Sequence, residues 1–150
     1  MSADPLKDIQ TELSALLTAD SYFSGVTILT ESRGDILNQL QSALGKLGIV
    51  VIIETLTGKP ETPGIGSYTI DLNLGITVTE NVLINQSASG TRKPASAVVA
   101  RIMCLLNPLR QQGLPAWIES FGLVDDSGGL LIYQLNCKAR AGFELQETAP

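Results

Sequence analysis

Apolar side chains recur along this chain in two rhythms, and the rhythms predict its elements. In "ADPLKDIQTELSALLTAD" Leu6, Ile9, Leu13, Leu16 and Leu17 fall on one face of a helix, with Asp4 placed to cap it and Pro5 at the first helical position. "GVTILTESRGD" alternates Val26, Ile28 and Thr30 with polar residues, as a short strand does. Helical spacing resumes at Ile36, Leu37, Leu40, Leu44 and Leu47 until Gly45 and Gly48 weaken and end it. "IVVIIETL" then opens with five apolar residues in a row, which predicts a central strand covered on both faces. A strand–helix–strand unit of this length favours parallel pairing of residues 25–30 with 49–56 through a right-handed crossover.

The longest rhythm is "GSYTIDLNLGITVTENVLIN". Tyr68, Ile70, Leu72, Leu74, Ile76 and Val78 alternate with polar residues and glycine, and the apolar phase returns at Val82 and Ile84. As one strand, Tyr68 to Ile84 spans roughly 55 Å, whereas a globule of this chain length has a diameter of about 38 Å. The strand therefore bends, or part of it leaves the body to meet something else. "TGKPETPGIGS" before it has two prolines and three glycines and predicts a long hairpin loop over residues 57–69, with the following strand antiparallel to the one before.

After the small-residue link "SASGTRK", "PASAVVARIMCLLNPL" places Val98, Ile102, Leu105, Leu106 and Leu109 on one helical face, closed by Asn107-Pro108. "GLPAWIESFGLVDDSGG" predicts one or two short helical turns around Trp117 and Phe121. A last strand alternates Leu131, Tyr133, Leu135, Cys137 and Ala139, and residues 146–150 form a frayed tail. The sum is one α+β domain over residues 1–150: a mixed, largely antiparallel sheet of about four strands, helices on one face and one strand–helix–strand crossover.

Composition adds limits. The chain is 44% hydrophobic and 17% charged, long enough to bury a core without metal or disulfide. No apolar run reaches the length of a membrane span, and the first ten residues lack the pattern of a signal peptide. Net charge is −5, which argues against nucleic acid as the primary ligand. Residues 1–87 carry ten acidic and four basic side chains and residues 88–150 five and six. That is surface scatter, or a negative face that meets a less negative one in a head-to-tail ring.

Histidine is absent, which removes the commonest general base, the Ser/Cys–His pairs and most zinc sites. The glycines fit neither a Walker loop nor a dinucleotide fingerprint, and "VDDSGG" reads as an Asx-type turn rather than a calcium loop. The expectation is no enzyme, no metal and no cofactor. Glu54 and Glu80 were the two carboxylates open to an acid pair, if one deep pocket held both; otherwise Glu80-Asn81 marks a bend or bulge. Arg92-Lys93 is a solvated loop or a contact for an acidic neighbour. Cys104 and Cys137 read as small core residues.

The segments "DIQTELSALLTAD", "SRGDILNQLQSALGKLGIVVII" and "DLNLGITVTENVLINQ", in this order of elements, resemble the tail-terminator or tail-completion (neck) proteins of long-tailed bacteriophages. The resemblance implies a small subunit of a six-membered ring that caps the tail tube, ends its polymerisation and meets the head-proximal connector or adaptor. It implies a place in the virion tail or neck, with assembly in the host cytoplasm. The segment "GLVDDSGGLLIYQLNCKARAGFEL" departs from it and suits a neighbouring neck or minor tail protein; a non-catalytic binding module is the alternative of another class. In a ring, an overlong hairpin has a neighbour to reach, which makes Lys59, Glu61, Ile65, Glu80, Asn81, Arg92 and Lys93 the candidate subunit or tube contacts.

Overall fold

The computed structural model describes residues 4–31, 36–60, 67–87, 90–110 and 116–144. In chain order the elements are α1 (Pro5–Ala19), a 3-10 turn (Ser21–Phe23), β1 (Thr27–Thr30), α2 (Ile36–Lys46), β2 (Ile49–Pro60), β3 (Ser67–Asn81), a one-turn α3 (Val82–Asn85), α4 (Ala95–Arg110), β4 (Ala116–Asp125) and β5 (Leu130–Glu144). The strands form one five-stranded sheet in the order β1-β2-β3-β5-β4. β1 and β2 pair parallel across the α2 crossover, and the other three pairings are antiparallel.

The alternation places the core. Ile49, Val51 and Ile53 of β2, Leu72 to Val78 at every second position of β3, and Leu135, Cys137 and Ala139 of β5 share one face. On it pack Ile9, Leu13 and Leu17 of α1 and Val98, Val99, Ile102 and Leu106 of α4. The intervening Val50 and Ile52 face the other way, against Ala43 and Leu40 of α2, which is why β2 reads as an unbroken apolar run. α2 thus covers the β1/β2 end of the second face, while α1 and α4 share the first. Asp4 caps α1 by accepting the Lys7 N–H at 3.0 Å, with Pro5 in the first turn.

Three expectations change. The segment around Trp117 and Phe121 is not helical turns but β4, the fifth strand. Its rhythm is hidden by bulges between Ile118 and Ser120 and between Leu123 and Asp125. The first moves the inward phase from Ala116 and Ile118 to Phe121 and Leu123. The second change concerns the overlong strand, which ends at Asn81. Asn81 accepts the Ile84 N–H and starts α3, so Val82 and Ile84 belong to a helical turn. α4 also runs on through Pro108 to Arg110.

β3 neither bends at Glu80 nor leaves the body alone. All fifteen of its residues pair with β5, from Ser67↔Glu144 to Asn81↔Leu130. β2 flanks its other edge as far as Pro60↔Ile70, so strand occupies part of the span expected as loop. A bulge at Leu56 shifts the register between Thr55 and Thr57, and the Leu56 side chain lies over Gly75.

Gly48 ends α2 with φ +80°, and a Cβ there would stand 2.3 Å from the Asn85 nitrogen. Strain and clash act together, because α3 backbone cannot swing away like a side-chain tip. Gly48→Ala is expected to lower stability by about 2 kcal/mol or more, measured by urea unfolding.

Candidate interface surfaces

Glu80 is 2% exposed and lies on the α1/α4 face. One carboxylate oxygen accepts the Ala95 N–H at 2.9 Å, the other the Asn85 amide at 2.7 Å. It therefore serves as a remote cap for the orphan N–H groups and positive end of α4, delivered from the last turn of a strand. Asn85 completes the knot: its amide also donates to the Lys93 carbonyl at 2.8 Å, and its oxygen accepts the Thr91 hydroxyl at 2.6 Å. Glu54 is on the opposite face, paired with Gly75. The two carboxylates are not brought together.

Lys93 is engaged inside the chain too. Its Nζ donates to the carbonyls of Tyr22 and Ser24 at 2.5 and 2.8 Å and lies 5.2 Å from the Tyr22 ring centre. Nearby Arg101 forms a two-pronged ion pair with Asp20 at 2.6 and 2.9 Å. That hydrogen bond holds the Asp20 carboxyl below its usual range, and burial raises the Tyr22 hydroxyl. Arg92 is exposed with φ +59°, a left-handed backbone uncommon outside glycine.

Of the seven candidate contacts, Glu61 and Ile65 lie outside the described residues. Glu80 is buried within the chain, where it serves as a cap rather than standing on the surface. Asn81 caps α3 and Lys93 staples the α4 leader to the 3-10 turn. Lys59 and Arg92 are exposed. Sequence marked Glu80 by its place on the apolar phase, yet that phase does not tell a buried cap from a break in the strand.

Past α2 the second face is open and polar. Asp71 faces Arg140 with a 2.9 Å ion pair, Asn73 donates to Thr57 at 2.6 Å and accepts from Lys138, and Lys138 also lies 3.5 Å from Glu119. Asp71, Asn73, Glu119, Lys138 and Arg140, with Trp117 and Lys59, line a depression of about 570 Å³. Beyond the last fully buried rung, β2, β3 and β5 continue together toward residues 60, 67 and 144, and Lys59 and Pro60 are exposed there. At this end three strands pair side by side, as far as Pro60↔Ile70 and Ser67↔Glu144.

The signal missed in the sequence is β4. Phe121, Leu123 and Val124 are 52%, 48% and 61% exposed on a terminal strand of the sheet. At the strand's start the Ile118 N–H is taken by the Asn107 side chain of α4 at 2.9 Å. At its end Asp125 accepts from the Ser127 N–H and hydroxyl at 3.0 and 2.8 Å, the Asx-type turn expected, with Gly128 and Gly129 at positive φ. These bonds hold Asp125 below the usual carboxylate range.

Among the described residues no three His, Cys, Asp or Glu side chains gather as a metal site, and no helix is long and apolar enough to cross a membrane. Cys137 is in the core as expected, and burial pushes its thiol up to about 12, whereas Cys104 is exposed on α4.

No protein-family model matches the chain, and no curated protein sequence does. Among solved structures its fold is similar to that of a chain in the virion of a native gene transfer agent particle. The TM-score is 0.62 at 13% identity, over 95% of this chain and 100% of that one. At such identity the likeness is one of fold.

Removing the Glu80 carboxylate leaves the Ala95 N–H and one Asn85 amide bond unmet. Glu80→Ala is therefore expected to cost about 3 kcal/mol in urea unfolding. At pH 8 a thiol reagent is expected to modify Cys104 in the folded chain and Cys137 only after unfolding. Because the folded Cys137 thiol titrates above its unfolded value of 9.0, its contribution to stability is whole below pH 9 and is lost as pH rises toward 12.

Proposed function

We propose that this chain is a structural assembly protein of a tailed virion. Copies of it close into a ring, six-membered by the family resemblance, that caps the tail tube, stops its polymerisation and joins it to the head-proximal connector. The observation carrying the reading is the fold likeness to a chain of a virion, over 95% of this chain and 100% of that one. The order of elements expected from the resemblance, with its strand–helix–strand unit and long alternating strand, supports the same reading. Its work is done by shape and interface, with no cofactor and no catalytic step. Another neck or minor tail protein would share the fold and differ in station.

The projecting end of β2, β3 and β5, with the hairpin that joins β2 to β3, is the surface we assign to the tube. Lys59 and Pro60 blunt the outer edge of β2 against indiscriminate strand pairing, so a specific partner meets it through side chains. Arg92, exposed on the link before α4, is a second contact point for an acidic neighbour.

The experiment is complementation. In a producing cell that lacks the gene, tails are expected to lose their uniform length, and the intact chain to restore it. A chain without residues 59–65 is expected to keep its oligomeric mass and its melting temperature and to leave tail length uncorrected, read by electron microscopy. Uniform tails capped by the shortened chain would count against the assignment of the hairpin. Uniform tails in the absence of any copy would count against the function.

A further inference from the structure

We propose that the ring closes by sheet extension, the outer edge of β4 in one copy pairing antiparallel with the outer edge of β1 in the next. This rests on the ring reading above and adds the surface that makes the ring.

β1 and β4 are the two ends of the sheet, and among the described residues no strand lies beyond either. Three of the four pairings between them reverse direction, so β4 runs opposite to β1. A copy advanced along the hydrogen-bonding direction therefore brings the two edges together antiparallel, the stronger form of pairing. The registers also place them at the same height. One row runs Thr30, Ile53, Ile76, Leu135, Phe121, another Ile28, Val51, Val78, Tyr133, Leu123, and a third Thr27, Val50, Thr79, Ile132, Asp125. Without any slip, Phe121 of one copy meets Thr30 of the next, Leu123 meets Ile28 and Asp125 meets Thr27.

The side chains fit that arrangement. Leu135 and Tyr133 belong to the α1/α4 face, so their row neighbours Phe121 and Leu123 project on that side. There the β1 edge is bordered by a groove of about 590 Å³, lined by Leu6, which is left 39% exposed, and otherwise by polar and charged side chains, among them Lys7, Gln10, Thr30 and Glu31. On the other face a groove of about 500 Å³ runs between β1 and α2, lined by Thr27, Leu29 and one charged side chain, Lys46. Asp125 shares that face, in the Thr27 row, and Asp126 follows it. An acidic end of β4 thus meets Lys46, and the apolar Phe121 and Leu123 meet the Thr30 and Ile28 rows, beside the exposed Leu6. A second copy supplies both complements at once, whereas an edge as apolar as Phe121–Val124 left bare invites aggregation.

The test uses the full chain with Cys104→Ser, carrying Thr30→Cys and Phe121→Cys together. Paired residues on antiparallel strands stand within the Cα range of a disulfide. Oxidation is expected to link copies into a ladder that ends at the closed ring, seen by non-reducing electrophoresis and native mass spectrometry and reversed by reductant. Either cysteine alone should give no ladder. Separately, Phe121→Lys with Leu123→Glu should weaken association at least about 100-fold with the melting temperature of the subunit unchanged. An oligomer of wild-type mass that neither cross-links nor responds to the charge pair would overturn the β4–β1 pairing and leave the ring reading standing. Linkage by Phe121→Cys alone, the mark of a two-fold dimer through β4, would overturn the pairing too. A wild-type chain monomeric at about 100 μM would do the same, and tail-length complementation would then judge the function on its own.

Discussion

β3 is hydrogen-bonded on both edges, and the rest of the molecule is arranged around that constraint. A strand of 15 residues exposes a long row of backbone donors and acceptors, and β5, of equal length, takes one side completely. β2 takes most of the other. Having no free edge, β3 cannot itself add to a neighbour's sheet. Among the described residues the sheet's outer edges are therefore the four residues of β1 and the strand β4.

The two ends of β3 are treated differently by the fold. At the Glu80 end a buried carboxylate ties strand, α3 and the start of α4 into one polar knot, and nearby Lys93 fastens the α4 leader to the 3-10 turn. Each buried side-chain polar atom there has its partner; among the described residues none is left unsatisfied. At the Ser67 end three strands continue side by side.

Much of this architecture was legible. The helix faces of α1 and α4, the cap at Asp4, the crossover from β1 to β2 and the two-faced burial of β2 follow from spacing alone, since each is a property of neighbours within one turn or a few residues. β4 was not, because two bulges in ten residues break the period on which a strand is recognised, and because its exposed half has no buried face to enforce one. Glu80 was singled out as a candidate contact, and the structure places it buried against the start of α4. A carboxylate on an apolar phase is compatible with a kink, a pocket or a cap, and only the position of Ala95, 15 residues further on, selects the cap.

By itself, then, the sequence determined which residues turn inward and in what order helices and strands follow, because alternation and helical spacing are written along the chain. Tertiary structure decided which strands are interior and which are edges, and that assigns every free backbone group. Strand pairing acts at right angles to the chain, between residues as far apart as Ser67 and Glu144. No local pattern carries that information; it is fixed only when the helices choose a face and the strands find their register.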